Sequence, residues 1–165
     1  MLTHIHKIAL IIPLILSCSF SKNTLPNKPN TSITKPIDIE NLERELHQLV
    51  NQERKKAGLA PLVYDQQVQL VARTHSRDMA KRDFFSHINP DKENPFDRMK
   101  KAGIVFRAAA ENIAYASTIK EIHEGLMNSP KHKANILNPK LGRMGIGIVA
   151  SKYGLMTTQL FKNPE

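Results

Sequence analysis

The chain has 165 residues, 41% of them hydrophobic, with one cysteine, no tryptophan and a formal net charge of +9. A single cysteine excludes an internal disulfide, and the length suits one folded domain once the N-terminal stretch is set aside. The excess of Lys and Arg comes without an RNA-binding aromatic motif or zinc-finger spacing, which argues against nucleic acid as a partner.

In chain order, Met1 to Ser17 have the form of an export signal. Lys7, with His4 and His6, gives a short basic start, and "IALIIPLIL" (Ile8 to Leu16) is an apolar run too short to span a bilayer. It ends in "ILSC", which resembles a bacterial lipobox in which Leu16 is a loose fit. That resemblance implies cleavage before Cys18 and acylation of Cys18, palmitate being the expected kind of chain. The mature protein would then be exported and held on the bacterial membrane through lipidated Cys18, at the outer membrane or cell surface. An ordinary secretory signal that retains a cysteine is the alternative. "SFSKNTLPNKPNTSITKPI" (Ser19 to Ile37) is polar, with Pro26, Pro29 and Pro36, and has too little apolar surface to fold, so it reads as a tether. The expected organisation is a signal over 1–17, a lipidated cysteine and tether over 18–38, and a folded domain over 39–165.

Ile39 to Ala57 places Leu42, Leu46, Leu49 and Val50 on one face and predicts a helix stopped at Gly58. Asp65 is positioned to cap a second helix. Its inner stripe is Val68, Val71, Ala72, His75 and Met79, and it runs out near Arg82. Asn94-Pro95 opens a short third helix that ends before Gly103. Ile104 to Tyr115 reads as a strand. Thr118 and Glu121 form a capping box for a fourth helix through Met127. Ser129-Pro130 breaks it, and a turn of helix covers Lys131 to Ile136. "MGIGIVAS" (Met144 to Ser151) and "LMTTQLF" (Leu155 to Phe161) form a hairpin around "KYG". Helices first, mixed elements next and a hairpin last predict an α+β fold with an antiparallel sheet.

Within the predicted strand, "AAAENIAYA" (Ala108 to Ala116) holds one carboxylate, Glu111, among small and apolar residues. A charge there is costly without a partner. His87 in "FFSHINP" and His132 in "SPKHKANIL" also sit at the edges of apolar runs. Two imidazoles beside Glu111 would stabilise the carboxylate and could leave ring nitrogens free for a divalent metal such as zinc, with His87 and His132 as the candidate ligands.

Five segments occur in an order that resembles bacterial CAP (SCP-like extracellular) domains, relatives of the cysteine-rich secretory, antigen 5 and pathogenesis-related proteins. They are "LVNQERKKAGLAPLVYD", "ARTHSRDMA", "FFSHINP", "AENIAYA" and "SPKHKANILNPKLGRMGIG", and together they span nearly all of Ile39 to Phe161. The resemblance implies an α-β-α sandwich with a central antiparallel sheet between helices. It also implies an open cleft lined by two His and two acidic residues. His87 takes the place of the first His. Glu111 takes that of the Glu in "GENIA", with Ala110 for the Gly, and His132 that of the His in "GH", with Lys131 for the Gly. Leu126 and Ser129 stand where the fourth helix usually carries Trp and the second Glu. The candidate cleft is therefore His87, Glu111, His132 and Ser129, one acid short.

Several residues have plainer readings. His75 is expected as a core histidine bonded to backbone. Asn51, Arg54 and Asn135 are expected to fix structure. His123 and Glu124 are expected on the surface. Ser86 and Ser129 could act as nucleophiles only beside a positioned base, and neither lies in an elbow motif. Basic clusters at Arg54–Lys56, Arg98–Lys101 and Lys131–Arg143 read as solvated surface. The expected function is a monomeric, non-enzymatic binding module for a lipid, a host component or an envelope polymer. A metal-dependent hydrolase or protease using His87, His132 and Glu111 is the alternative, and an electrostatic adhesin for anionic surfaces the second one.

Overall fold

A computed structural model of the chain describes residues 37–163. The expected signal, Cys18 and nearly all of the tether lie outside the described residues. The elements are α1 (Ile39–Lys56), β1 (Val63–Tyr64), α2 (Gln66–Arg82), α3 (Pro95–Lys101), β2 (Ala109–Ala116), α4 (Ile119–Asn128), α5 (Pro130–Ile136), β3 (Arg143–Ser151) and β4 (Gly154–Lys162).

Local signals set the helix ends. The Asp65 side chain accepts from the N–H groups of Gln67 and Val68, and Asn94 accepts from those of Phe96 and Asp97. Thr118 and Glu121 bond each other's backbone N–H at 3.2 and 3.0 Å, satisfying donors that the first turn leaves free. Gly58 and Gly103 follow α1 and α3 at φ 71° and 73°, a region that favours glycine.

The sheet order is β1-β3-β4-β2. β3–β4 and β4–β2 are antiparallel, but β1 pairs parallel to β3 through Val63↔Arg143 and Tyr64↔Met144. The sheet is therefore mixed and not purely antiparallel. A two-residue strand has no alternation to read, so this pairing had no sequence signal. The strand expected from Ile104 starts only at Ala109. Ile104 instead drops into a cluster with Val68, Met99 and Leu160, while Asn163 accepts from the N–H groups of Arg107 and Ala108.

Two helical layers cover the sheet. On one face Met144, Ile146 and Ile148 pack with Leu46 and Val50 of α1 and Ile122 and Leu126 of α4. On the other, α2 lies directly on β3. A Cβ at Gly145 or Gly147 would collide with the α2 backbone at Gln69 or Arg73, so "GIG" is what lets the helix approach. β1 pairs only with Arg143 and Met144, leaving the edge of β3 beyond them uncovered. Buried Glu43 of α1 meets that edge. It accepts from Ile148 N–H at 3.1 Å, from Arg73 Nε at 2.8 Å and from Gln69 Nε2 at 2.7 Å, tying α1, α2 and β3 together. Among the described residues no helix is long and apolar enough to cross a membrane.

Candidate functional site

Glu111 lies on β2, the terminal strand of the sheet, opposite Leu160 of β4. Strand alternation sends Glu111 and Ile113 to the face covered by α2 and α3, where Ile113 packs against Met79. Asn112 points to the other layer, where it donates to the carbonyl of His132 at 3.2 Å and accepts from Asn135 at 2.8 Å.

The Glu111 side chain is 2% exposed, and both of its oxygens are engaged. His87 Nδ1 bonds Oε1 at 2.8 Å, and Arg98 Nη2 donates to Oε2 at 2.7 Å. The second partner is thus Arg98 and not His132. Arg98 belongs to a segment read as solvated, yet only 7% of its side chain is exposed. The signal that could have found it is spacing: Pro95, Arg98 and Met99 are the buried residues of α3, at i, i+3 and i+4.

Arg98 also donates through Nη1 to the carbonyls of His87 and Glu93, both at 2.9 Å. It therefore holds the His87 loop as well as the carboxylate. From α2, buried His75 bonds the Ser86 carbonyl through Nε2 at 3.0 Å, as expected of a core histidine. The Asn89 side chain closes the loop on Glu93, accepting from its N–H at 2.8 Å and donating to its carboxylate at 2.9 Å.

These contacts fix the chemistry of the His87 ring. A carboxylate only accepts, so Nδ1 carries the proton, and in the neutral ring Nε2 is a bare acceptor. The His87 side chain is 48% exposed. His132, on α5, is half-buried, and its pKa is lowered first by burial and then by repulsion from His87. Ser129 forms the joint between α4 and α5; its side chain makes no cap hydrogen bond there. No group of three or more His, Cys, Asp or Glu among the described residues could hold a metal ion.

The remaining residues support structure. Arg54 is buried and donates to the carbonyls of Ala60, Ile136, Asn138 and Leu141 at 2.8 to 3.0 Å. Asn51 bonds both the N–H and the C=O of Leu62. Asn135 bridges to the Glu111 carbonyl at 3.3 Å. His123, expected on the surface, is 8% exposed. Ile119, Ile122, His123 and Leu126 form the buried stripe of α4, so helical spacing already marked it as inner. Burial lowers its pKa foremost.

Residues 47–161 match the CAP family, described as the cysteine-rich secretory protein family. The chain is 40% identical over 135 residues to the Bacillus subtilis (strain 168) protein YkwD, covering 81% of this chain and 52% of the relative. It is 35% identical over 112 residues to the membrane protein YlbC of the same organism, covering 67% and 32%. The chain thus spans about half or less of the length of these curated relatives. Among solved structures it is similar to an extracellular protein containing a SCP domain from Bacillus anthracis str. Ames. That match has a TM-score of 0.71 at 31% identity, over 76% of this chain and 41% of the other. An outer surface protein of Borrelia burgdorferi shares the fold, with a TM-score of 0.72 at 21% identity, over 78% and 97%.

Proposed function

The chain belongs to the cysteine-rich secretory protein (CAP) family, and from that premise we propose that it is an envelope-anchored, non-enzymatic binding module. Its cleft would be formed by His87, Glu111, His132 and Ser129. One observation carries the reading: both oxygens of Glu111, the one acid of that set, are already bonded, to His87 and Arg98. A carboxylate so held, with its side chain 2% exposed, orients a histidine and is shielded from water, so it makes a poor general base. What the cleft offers a ligand is the outward side of His87 and the neighbouring imidazole of His132, for a lipid, a host component or an envelope polymer.

The residues fit a divalent cation only in part. His87 has the carboxylate-backed geometry of a metal ligand, but two imidazoles fall short of the three protein ligands of a catalytic zinc site. A zinc ion would be held by His87 and His132 alone, and no chemical step is routed through it. The anchor would be lipidated Cys18 in the N-terminal segment, since stable attachment takes more than one acyl chain.

The experiment has two arms. Expressed in bacteria, the chain should label with radioactive palmitate and enter the detergent phase, while Cys18→Ala should do neither. Labelling that persists in Cys18→Ala refutes the anchor. Casein and ester hydrolysis by the purified protein should match the blank. Hydrolysis that Glu111→Gln abolishes refutes the binding reading.

A further inference from the structure

The turn between α3 and β2 holds apolar side chains out in water. Gly103, at φ 73°, reverses the chain there. Its N–H bonds the Lys100 carbonyl at 2.9 Å, and that of Ile104 bonds the Met99 carbonyl at 3.0 Å, the pair of bonds that closes a helix on a left-handed residue. Ile104 then drops onto Val68, Met99 and Leu160 and is 4% exposed. Its neighbour Val105 is left outside at 79%, the largest exposure of any large apolar side chain among the described residues. Phe96 of α3, 40% exposed, has its ring 6.1 Å from that of half-buried Phe106. Apolar side chains gathered on a surface in this way mark a place of contact.

Cations flank them. Lys100 follows Phe96 by one turn on the same face of α3, and Arg107 follows Val105 by two residues. Both are exposed, and neither makes an ion pair among the described residues. Lys101 is paired with Glu93. The one acid on α3, Asp97, stands at the helix start and accepts from Asn94 N–H at 3.1 Å.

This combination selects among anionic partners. A soluble polyanion would engage Lys100 and Arg107 and leave Val105 and Phe96 in water. A protein would have to supply a cavity shaped to a protruding valine. An anionic bilayer offers phosphate charge at its surface and hydrocarbon beneath it, and hydrocarbon needs no shape match. Apolar side chains enter the headgroup boundary, while Lys and Arg stems lie along them and keep their charge at the phosphates.

We propose that the α3–β2 turn is a membrane-contact site of the folded domain, with Val105 and Phe96 in the headgroup boundary of an anionic bilayer and Lys100 and Arg107 on the lipid phosphates. The site goes beyond the anchor proposed at Cys18 and the cleft of His87 and His132, and it depends on neither. An acyl chain alone leaves a domain free to turn; this contact fixes the side that faces the lipid.

The test is co-sedimentation with vesicles of phosphatidylcholine alone, or of phosphatidylcholine and phosphatidylglycerol in equal parts. The chain used starts at Ser19. It carries every described element and lacks both Cys18 and the apolar run before it, so neither can bind the vesicles. Binding is expected on the mixed vesicles, and about tenfold weaker or less on the neutral ones. Lys100→Glu/Arg107→Glu should weaken it by about tenfold or more, and Val105→Asn, which leaves the charge alone, by about fivefold or more. These side chains are on the surface, so melting curves should be unchanged. The protein has no tryptophan, so Val105→Trp adds a lone reporter whose emission should move to shorter wavelength on mixed vesicles and stay put with soluble polyphosphate. The proposal is overturned if the mixed vesicles are not bound, or if Val105→Asn binds them as well as the parent does, which would leave charge alone as the cause. It is also overturned if the tryptophan emission does not move on vesicles that bind the protein.

Discussion

Replacing Glu111 separates a carboxylate that braces the site from one that has no such role. Glu111→Ala removes the acceptor of two donors. His87, 48% exposed, can turn to water, but Arg98 is 7% exposed and keeps only the carbonyls of His87 and Glu93. Breaking a buried ion pair by deleting one partner costs about 3–5 kcal/mol. Glu111→Gln keeps an oxygen for Arg98 Nη2 and loses the charge, at about 1.5–3 kcal/mol for a hydrogen bond to a charged group. The amide nitrogen of the new side chain then faces His87 Nδ1. It can bond there only if Nδ1 is bare, so the His87 proton should move to Nε2. Thermal unfolding should place the alanine variant roughly 6 °C or more below the glutamine variant, the shift that about 2 kcal/mol produces in a domain of this size. ¹⁵N NMR of the His87 ring should report the tautomer change. Equal melting temperatures for the two variants, or a His87 that keeps its Nδ1 proton opposite the glutamine, would refute this account of the site.

Three further outcomes follow from the geometry. The pKa values of His47, His75, His123 and His132 are all lowered from 6.5, with burial the largest cause. As pH falls through 6.5 the unfolded chain takes up protons before the folded one, so stability should drop on acidification from that point. His75→Gln should flatten the fall of melting temperature between about pH 7 and 5; an unchanged slope would rule out His75 as a contributor. Gly147→Val drives a side chain into the α2 backbone at Arg73, and should cost about 1–3 kcal/mol or more in urea unfolding; a neutral effect would mean that α2 can lift from the sheet freely. Calorimetry should detect weak zinc binding in the wild type and none in His87→Ala/His132→Ala; binding that survives in the double variant places the ion elsewhere.

What the sequence revealed follows the range of the interaction that leaves the signal. Caps act over three residues, and Asp65, Asn94 and Thr118 each cap the helix expected of them. The hairpin of β3 and β4 is likewise local. Contacts between distant segments leave no such mark. Arg98 reaches Glu111 from another element, and its neighbours Lys100 and Lys101 made the segment look solvated. His123 is a different kind of miss, because the spacing of Ile119, Ile122, His123 and Leu126 already placed it inside α4.

The candidate cleft lies between these two cases. Motif order brings His87, Glu111 and His132 to notice, but order along a chain carries no information about faces. The strand supplies it. Glu111 and Asn112 are consecutive on β2 and therefore point to opposite layers. Glu111 finds its partners on the α2–α3 side, in His87 and Arg98. Asn112 finds its own on the α5 side, in the His132 carbonyl and Asn135. The "EN" of "AENIAYA" thus fastens both layers to the terminal strand of the sheet, one histidine segment on each side. Because β2 has no further strand beyond it among the described residues, that edge is open, and in the proposed cleft a ligand approaching it would meet the two imidazoles.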